Sequence, residues 1–152
     1  MLELDWDKCE IVEQFVKEIL RIEGISDVIF YRICKKDHKI GDIKIKKDTI
    51  VNYSPYHLHH SEKYYRNPDQ FDLTRFCPKN AKEVPRGAYL PFHEGQRGCA
   101  GIYLGKFMVK SVLLSLLCHF EVEFEPEFDP IWRKVFSLEM PSVMLKLRPR
   151  SL

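Results

Sequence analysis

Apolar residues recur at Val12, Phe15, Val16, Ile19 and Leu20, the i, i+3, i+4, i+7, i+8 spacing of a single helix face. The spacing predicts an amphipathic helix over Asp7 to Ile22, capped by Asp5 or Asp7 and stopped by Gly24. Between Phe30 and Tyr53 the period shortens. Tyr31-Arg32-Ile33, Ile43-Lys44-Ile45 and Thr49-Ile50-Val51 read as short strands turned by Gly41-Asp42 and Lys47-Asp48, which predicts a small antiparallel sheet. Tyr56 to Tyr65, rich in histidine and tyrosine, reads as a short helix or an irregular stretch. Asn67 to Pro91 holds four of the nine prolines and little periodicity, so it is expected to be a long functional loop held by side-chain contacts. Ile102 to Phe120 is helical in pattern and becomes apolar on all sides towards its C-terminal half, which predicts burial. Beyond it Val122, Phe124, Val143, Leu145 and Leu147 alternate as in strands, interrupted by Pro126, Pro130 and Pro141.

Composition narrows the function classes. At 152 residues the chain is one domain by length. Its 24 Lys and Arg against 22 Asp and Glu leave a net charge of +2, which singles out no polyanionic partner, and no nucleic-acid motif, phosphate loop or catalytic triad is found. Five cysteines (Cys9, Cys34, Cys77, Cys99 and Cys118) are odd in number and lack a CxxC pair, so a reduced intracellular chain is expected. Met1 to Lys8 is acidic and carries no signal-peptide pattern, and the apolar run Ser111 to Cys118 reads as too short for a bilayer.

The densest chemistry lies in Phe92-His93-Glu94-Gly95-Gln96-Arg97-Gly98-Cys99-Ala100-Gly101. A cysteine in a glycine-rich turn ahead of an apolar helix suits a metal-binding thiolate. Glycines let the backbone turn sharply and approach a flat ligand, and the unpaired amides of a helix N-terminus favour an anionic sulfur. Phe92, Gly95, Arg97, Cys99 and Gly101 together resemble the haem-binding signature of the cytochrome P450 family. Five residues at fixed spacings recur by chance about once in a million positions or fewer.

Other marks extend the resemblance. Glu18 and Arg21, three apart and in isolation an ordinary helix-surface ion pair, match the family's Glu-x-x-Arg. Arg32 falls on its propionate-binding arginine, and Pro68, Phe71, Arg75 and Phe76 on its meander. Three departures are Gly24-Ile25 for the usual prolines, Leu73-Thr74 for Pro-Glu, and Met108 for a helix glutamate.

The resemblance implies a fold class: an α+β fragment of the mostly helical P450 fold. Residues 1–152 would be the C-terminal portion of a P450-like domain, comprising a helix, a small sheet, the meander, the cysteine loop, a buried helix and terminal strands. It implies haem (iron protoporphyrin IX) ligated by Cys99, with Arg97 and Arg32 on the propionates and Phe92, Gly95 and Gly101 shaping the seat. Glu18, Arg21 and Arg75 would form a structural network, and loss of Arg75 is expected to abolish haem incorporation.

The function implied is that of a monooxygenase acting on a small organic substrate. Electrons would come from NADPH through a reductase or ferredoxin docked on the proximal face. A second chain or further segment would complete the fold, and an N-terminal membrane anchor could lie outside this sequence. The alternative is a truncated, non-catalytic haem-binding remnant. Two lesser readings come from the residues alone. Lys35, Lys36, Lys46 and Lys47 form a modest basic patch that could steer an acidic partner, and His57, His59, His60 and Cys77 form a histidine-rich loop without a tetrahedral zinc spacing.

Overall fold

The computed structural model describes residues 9–24, 30–124 and 145–151. The first helix, α1 (Glu10–Ile22), turns Val12, Val16 and Leu20 into the core. Phe15 and Ile19, expected on the same buried face, stay more than a third exposed, and Phe15 instead meets Phe71 edge-on at 5.6 Å. The helix starts at Glu10 with Cys9 in the capping position, while the expected caps Asp5 and Asp7 lie outside the described residues. At its other end Glu23 N–H closes onto Ile19 O at 2.7 Å.

The single small sheet expected next is two nested ladders. Strand β1 (Phe30–Ile33) pairs antiparallel with β4 (Ile50–Tyr53), bringing Arg32 opposite Val51. Between them β2 (His38–Ile40) and β3 (Ile43–Ile45) form their own hairpin. Gly41 turns that hairpin at φ +56°, where a side chain would be strained. The segment His38–Ile40, two polar residues and one isoleucine, carries no alternation that marks a strand and is one through its pairing with Ile43–Ile45.

Ser54 accepts a hydrogen bond from His57 N–H and caps α2 (Pro55–His59), with Pro55 at the first turn, where its missing donor costs nothing. The Asn67–Pro91 segment is a loop with two short 3₁₀ turns, Leu73–Phe76 and Ala81–Glu83. A third, Gly95–Arg97, precedes α3 (Ile102–His119). Strand β5 (Phe120–Phe124) then pairs with β6 (Leu145–Pro149), placing Val122 opposite Leu147. Residues Pro126, Pro130, Pro141 and Val143 lie outside the described residues.

The expectation of a buried α3 is corrected. Among its residues Leu114 is buried, joining Val12, Val16 and Leu20 in the core, while Tyr103, Leu104, Phe107, Met108 and Val112 are each more than half exposed. The reason is geometric. A single neighbouring helix covers one side of a cylinder about 10 Å across, and among the described residues no other helix packs on the remaining side. By length and composition alone, α3 taken whole is also apolar enough to cross a membrane, with mean hydropathy 1.4 over 18 residues, a test that the core helix of a soluble protein passes as well.

Glu13 locks α3 to α1. Its carboxylate lies 3.1 Å from Lys106, 2.6 Å from Lys110 and 3.4 Å from Lys17. Partial burial pushes this carboxyl up, but the hydrogen bonds from Lys110 and Lys106 outweigh it and hold the pKa at about 2.

Candidate functional site

Glu18 is fully buried, a position a carboxylate occupies only when its oxygens are all engaged. Arg21 donates from Nε to Oε2 at 2.8 Å and from Nη2 to Oε1 at 2.9 Å, a bidentate fork. Asp72 N–H adds a bond to Oε1 at 2.9 Å and Arg75 Nε another at 3.2 Å. The three residues assigned to one network therefore meet, and the helix-surface reading of Glu18 and Arg21 is replaced by a buried cluster. Arg75 also holds the loop by its carbonyls, donating to Arg66 O at 2.8 Å, Asn67 O at 3.1 Å and Gln70 O at 3.3 Å. Tyr65 lies under both guanidinium groups, its ring centre 5.1 Å from Arg21 and 6.0 Å from Arg75.

The network reaches the cysteine loop through His59. Arg21 Nη1 donates to His59 O at 2.8 Å, and His59 Nε2 accepts from Leu90 N–H at 2.9 Å. Burial, then the nearby Arg21 charge, pushes His59 down to about 4. His59 falls where the resembling family often has a histidine, with packing as its expected role, but its two partners in this latch were not legible from sequence. Its neighbours go elsewhere: His57 Nδ1 contacts Ser54 Oγ, and His60 Nδ1 contacts Tyr56 O.

A pH dependence follows. His59 is held neutral when folded, whereas the unfolded chain takes up its proton near pH 6.5, so the stabilisation present above pH 6.5 is lost as pH falls towards 4. The expected decline approaches 1.4 kcal/mol per pH unit, about the energy of one proton per unit. Urea unfolding between pH 7 and 4.5 should show this slope, and His59→Gln, which keeps an acceptor for Leu90, should flatten it. A slope unchanged in the variant would remove His59 as its source.

From Leu90 the chain enters the loop that carries the cysteine. His93 N–H closes a turn on Leu90 O at 3.3 Å, Gly98 N–H bonds Gly95 O at 3.0 Å, and Cys99 N–H returns to Phe92 O at 2.9 Å. Gly95 has φ +81°, a conformation that favours glycine, and a Cβ on Gly98 would sit 3.3 Å from Gly95 O. Phe92 packs against the α1–α3 core. The Cys99 sulfur is exposed and free of any disulfide, and a Cβ on Gly101 would approach it to 4.0 Å. Arg97 is exposed in the same loop.

Arg32 reaches this region from the sheet. Residues paired across a ladder share a face, as do alternate residues of one strand, so Arg32, Val51 and Tyr53 lie on one side of the β1–β4 ladder. On that side Tyr53 Oη and His93 Nδ1 share a hydrogen bond at 2.6 Å. Desolvation, followed by the charge of Arg32, lowers the His93 pKa. Arg32 itself is exposed and donates to Tyr31 O at 2.9 Å. Of the expected basic patch, Lys46 is paired with Asp37 at 3.0 Å, and the Lys47 N–H also bonds that carboxylate.

Comparison with known proteins agrees with this architecture. The family model for cytochrome P450 matches residues 3–147. The chain is 40% identical over 84 residues to cytochrome P450 6j1 of Blattella germanica, covering 55% of this chain and 17% of that protein. It is 34% identical over 108 residues to the steroid 17-alpha-hydroxylase/17,20 lyase of Cavia porcellus, covering 68% and 21%. Among solved structures, a mutant cytochrome P450DA haem domain superposes with TM-score 0.84 at 23% identity, covering 96% of this chain and 33% of that one. The cytochrome P450DA haem domain itself gives 0.80 at 25% identity, covering 92% and 31%. The chain thus spans about a fifth of these curated relatives and about a third of the solved haem domains.

Proposed function

The chain belongs to the cytochrome P450 family, and from that we propose that it is the haem-ligating portion of a monooxygenase, with the Cys99 thiolate as the axial iron ligand. The observation that carries this reading is an exposed, unpaired cysteine in a glycine-turned loop that also bears the exposed Arg97 and is tied through His93 and Tyr53 to the ladder that bears the exposed Arg32. This donor set fits the group. A porphyrin is flat, largely apolar and edged by two carboxylates. The loop offers a soft anionic ligand for iron, Arg97 and Arg32 offer charge-assisted donors for the propionates, and the open apolar residues of α3 offer surface that needs covering.

Each residue has a distinct task. Gly95 and Gly98 shape the turn so that the sulfur projects outward, and Gly101 keeps the approach beside it open. Phe92 anchors the loop in the core and excludes water from its inner side. The amide closure from Cys99 N–H to Phe92 O fixes the backbone that bears the ligand. When bound, haem supplies the reductive activation of dioxygen by which one oxygen atom enters a small organic substrate, chemistry that a thiolate ligand favours. Electrons from NADPH, delivered by a reductase or ferredoxin at the proximal face, complete the proposal. So does further P450 fold covering α3, in an intracellular setting with any membrane anchor supplied by a segment outside this sequence.

Titration of the chain with haem, followed by reduction under carbon monoxide, tests the ligand. A long-wavelength Soret band, the mark of thiolate ligation, is expected at one haem per chain. A band at the short-wavelength position typical of histidine-ligated haem would refute the assignment.

A further inference from the structure

His93 has φ +62°, the left-handed region, yet it carries a side chain. A non-glycine residue there costs about 1–2 kcal/mol and persists only where its surroundings impose it. In this loop the imposing contact is visible. The His93 ring meets Tyr53 at 2.6 Å through Nδ1 and lies edge-on to it, with ring centres 5.8 Å apart and ring planes at 86°. Tyr53 ends β4, where its backbone is in register with Phe30, so its position is set by the ladder and not by the loop.

We propose that Tyr53 and His93 form a positioning clamp that fixes the Cys99 loop to the β1–β4 ladder and so sets the distance between the sulfur and Arg32. The inference rests on the haem reading for its purpose and on the loop geometry for its existence. The Cys99 side chain is exposed, so packing does not hold the sulfur in place. Its backbone is held by Cys99 N–H to Phe92 O, and Phe92 directly precedes His93. Holding His93 therefore holds the acceptor of the bond that closes the loop. Arg32, on the Tyr53 side of the ladder, is carried in the same frame. Two points of attachment for one rigid porphyrin, the iron ligand and a propionate donor, need such a frame, because a rigid ligand gains from both only if their separation is already right. Glycine at position 93 would relieve the backbone cost and abolish the clamp. The presence of histidine is therefore the informative choice.

Amide hydrogen exchange on the full 152-residue chain without haem tests the clamp. Tyr53→Phe and His93→Gly should each speed exchange at the Cys99 amide about tenfold, the loss of one hydrogen bond's worth of local protection. The double variant should be no faster than either single one, because the two residues act as a unit. Haem added to each variant should dissociate faster by a similar factor, with the Soret band shifting towards the short-wavelength form on standing. If His93 is merely tolerated, His93→Gly will leave Cys99 exchange unchanged or slower and raise the unfolding midpoint. That result, or additive effects of the two variants, overturns the clamp. A wild-type chain that shows no thiolate band refutes the haem reading instead, and the exchange arm still decides whether the clamp exists.

Discussion

Cys99→Ser should erase the long-wavelength Soret band of the ferrous carbon monoxide complex while leaving the fold of the chain intact. The two halves of that result have separate causes. A serine hydroxyl does not ionise near neutrality as a thiol can, so the electron-rich anionic ligand disappears altogether. Folding is spared because the Cys99 side chain is exposed and the bond that closes the loop uses its backbone N–H, which serine keeps. Surface substitutions of this kind stay within about 0.5 kcal/mol. Haem should still associate, more weakly, through Arg97, Arg32 and apolar contact. The other described cysteines serve as controls. Cys118 is also exposed, but it sits near the C-terminal end of α3, far along the helix from the loop. Cys118→Ser should therefore retain the band, and a Cys99→Ser chain that also retains it would eliminate position 99 as the ligand.

What the sequence disclosed divides by range. The α1 period and the cysteine loop are local patterns, legible because helix periodicity and fixed spacing in a short turn need no distant partner. The Glu18–Arg21–Arg75 cluster joins residues 57 positions apart, and only the family resemblance linked them, since three and four residue spacings on a helix say nothing about a distant loop. The fate of α3 was not legible at all. Its composition states that apolar surface must be covered, but not that α1 would cover one side only. The contacts made by His59 and His93 were not legible for a different reason. One histidine in a cluster of three becomes a latch because Leu90 N–H points at it, and a left-handed backbone angle leaves no trace in residue type unless glycine marks it. For the nested ladders, the turns at Gly41-Asp42 and Lys47-Asp48 were found, but turns alone do not say which strand pairs with which.

Arg21→Ala should be the most damaging single change in the chain, ahead of Arg75→Ala. Arg21 supplies two of the four hydrogen bonds to the Glu18 carboxylate and is itself about 1% exposed. Its loss leaves a fully buried charge with one guanidinium at 3.2 Å, a rupture that costs about 3–5 kcal/mol. Against a total stability of about 5–15 kcal/mol for an ordinary domain, that is enough to unfold much of the population. It also frees His59 O, and with it the segment that presents His59 to Leu90 at the entrance to the cysteine loop. Arg75→Ala leaves the bidentate pair and Asp72 N–H in place, so the expected cost is about 1.5–3 kcal/mol. That loss unpins Arg66, Asn67 and Gln70 and should abolish haem incorporation without full unfolding. Arg21→Lys should rescue little, because a point charge cannot reproduce the planar fork that also reaches two carbonyls. Glu18→Gln combined with either arginine variant should be far less than additive, the signature of one coupled cluster. Urea midpoints and haem stoichiometry of the set decide the matter. Equal and additive effects of Arg21 and Arg75 would show that the carboxylate is not shared in the unequal way its hydrogen bonds describe.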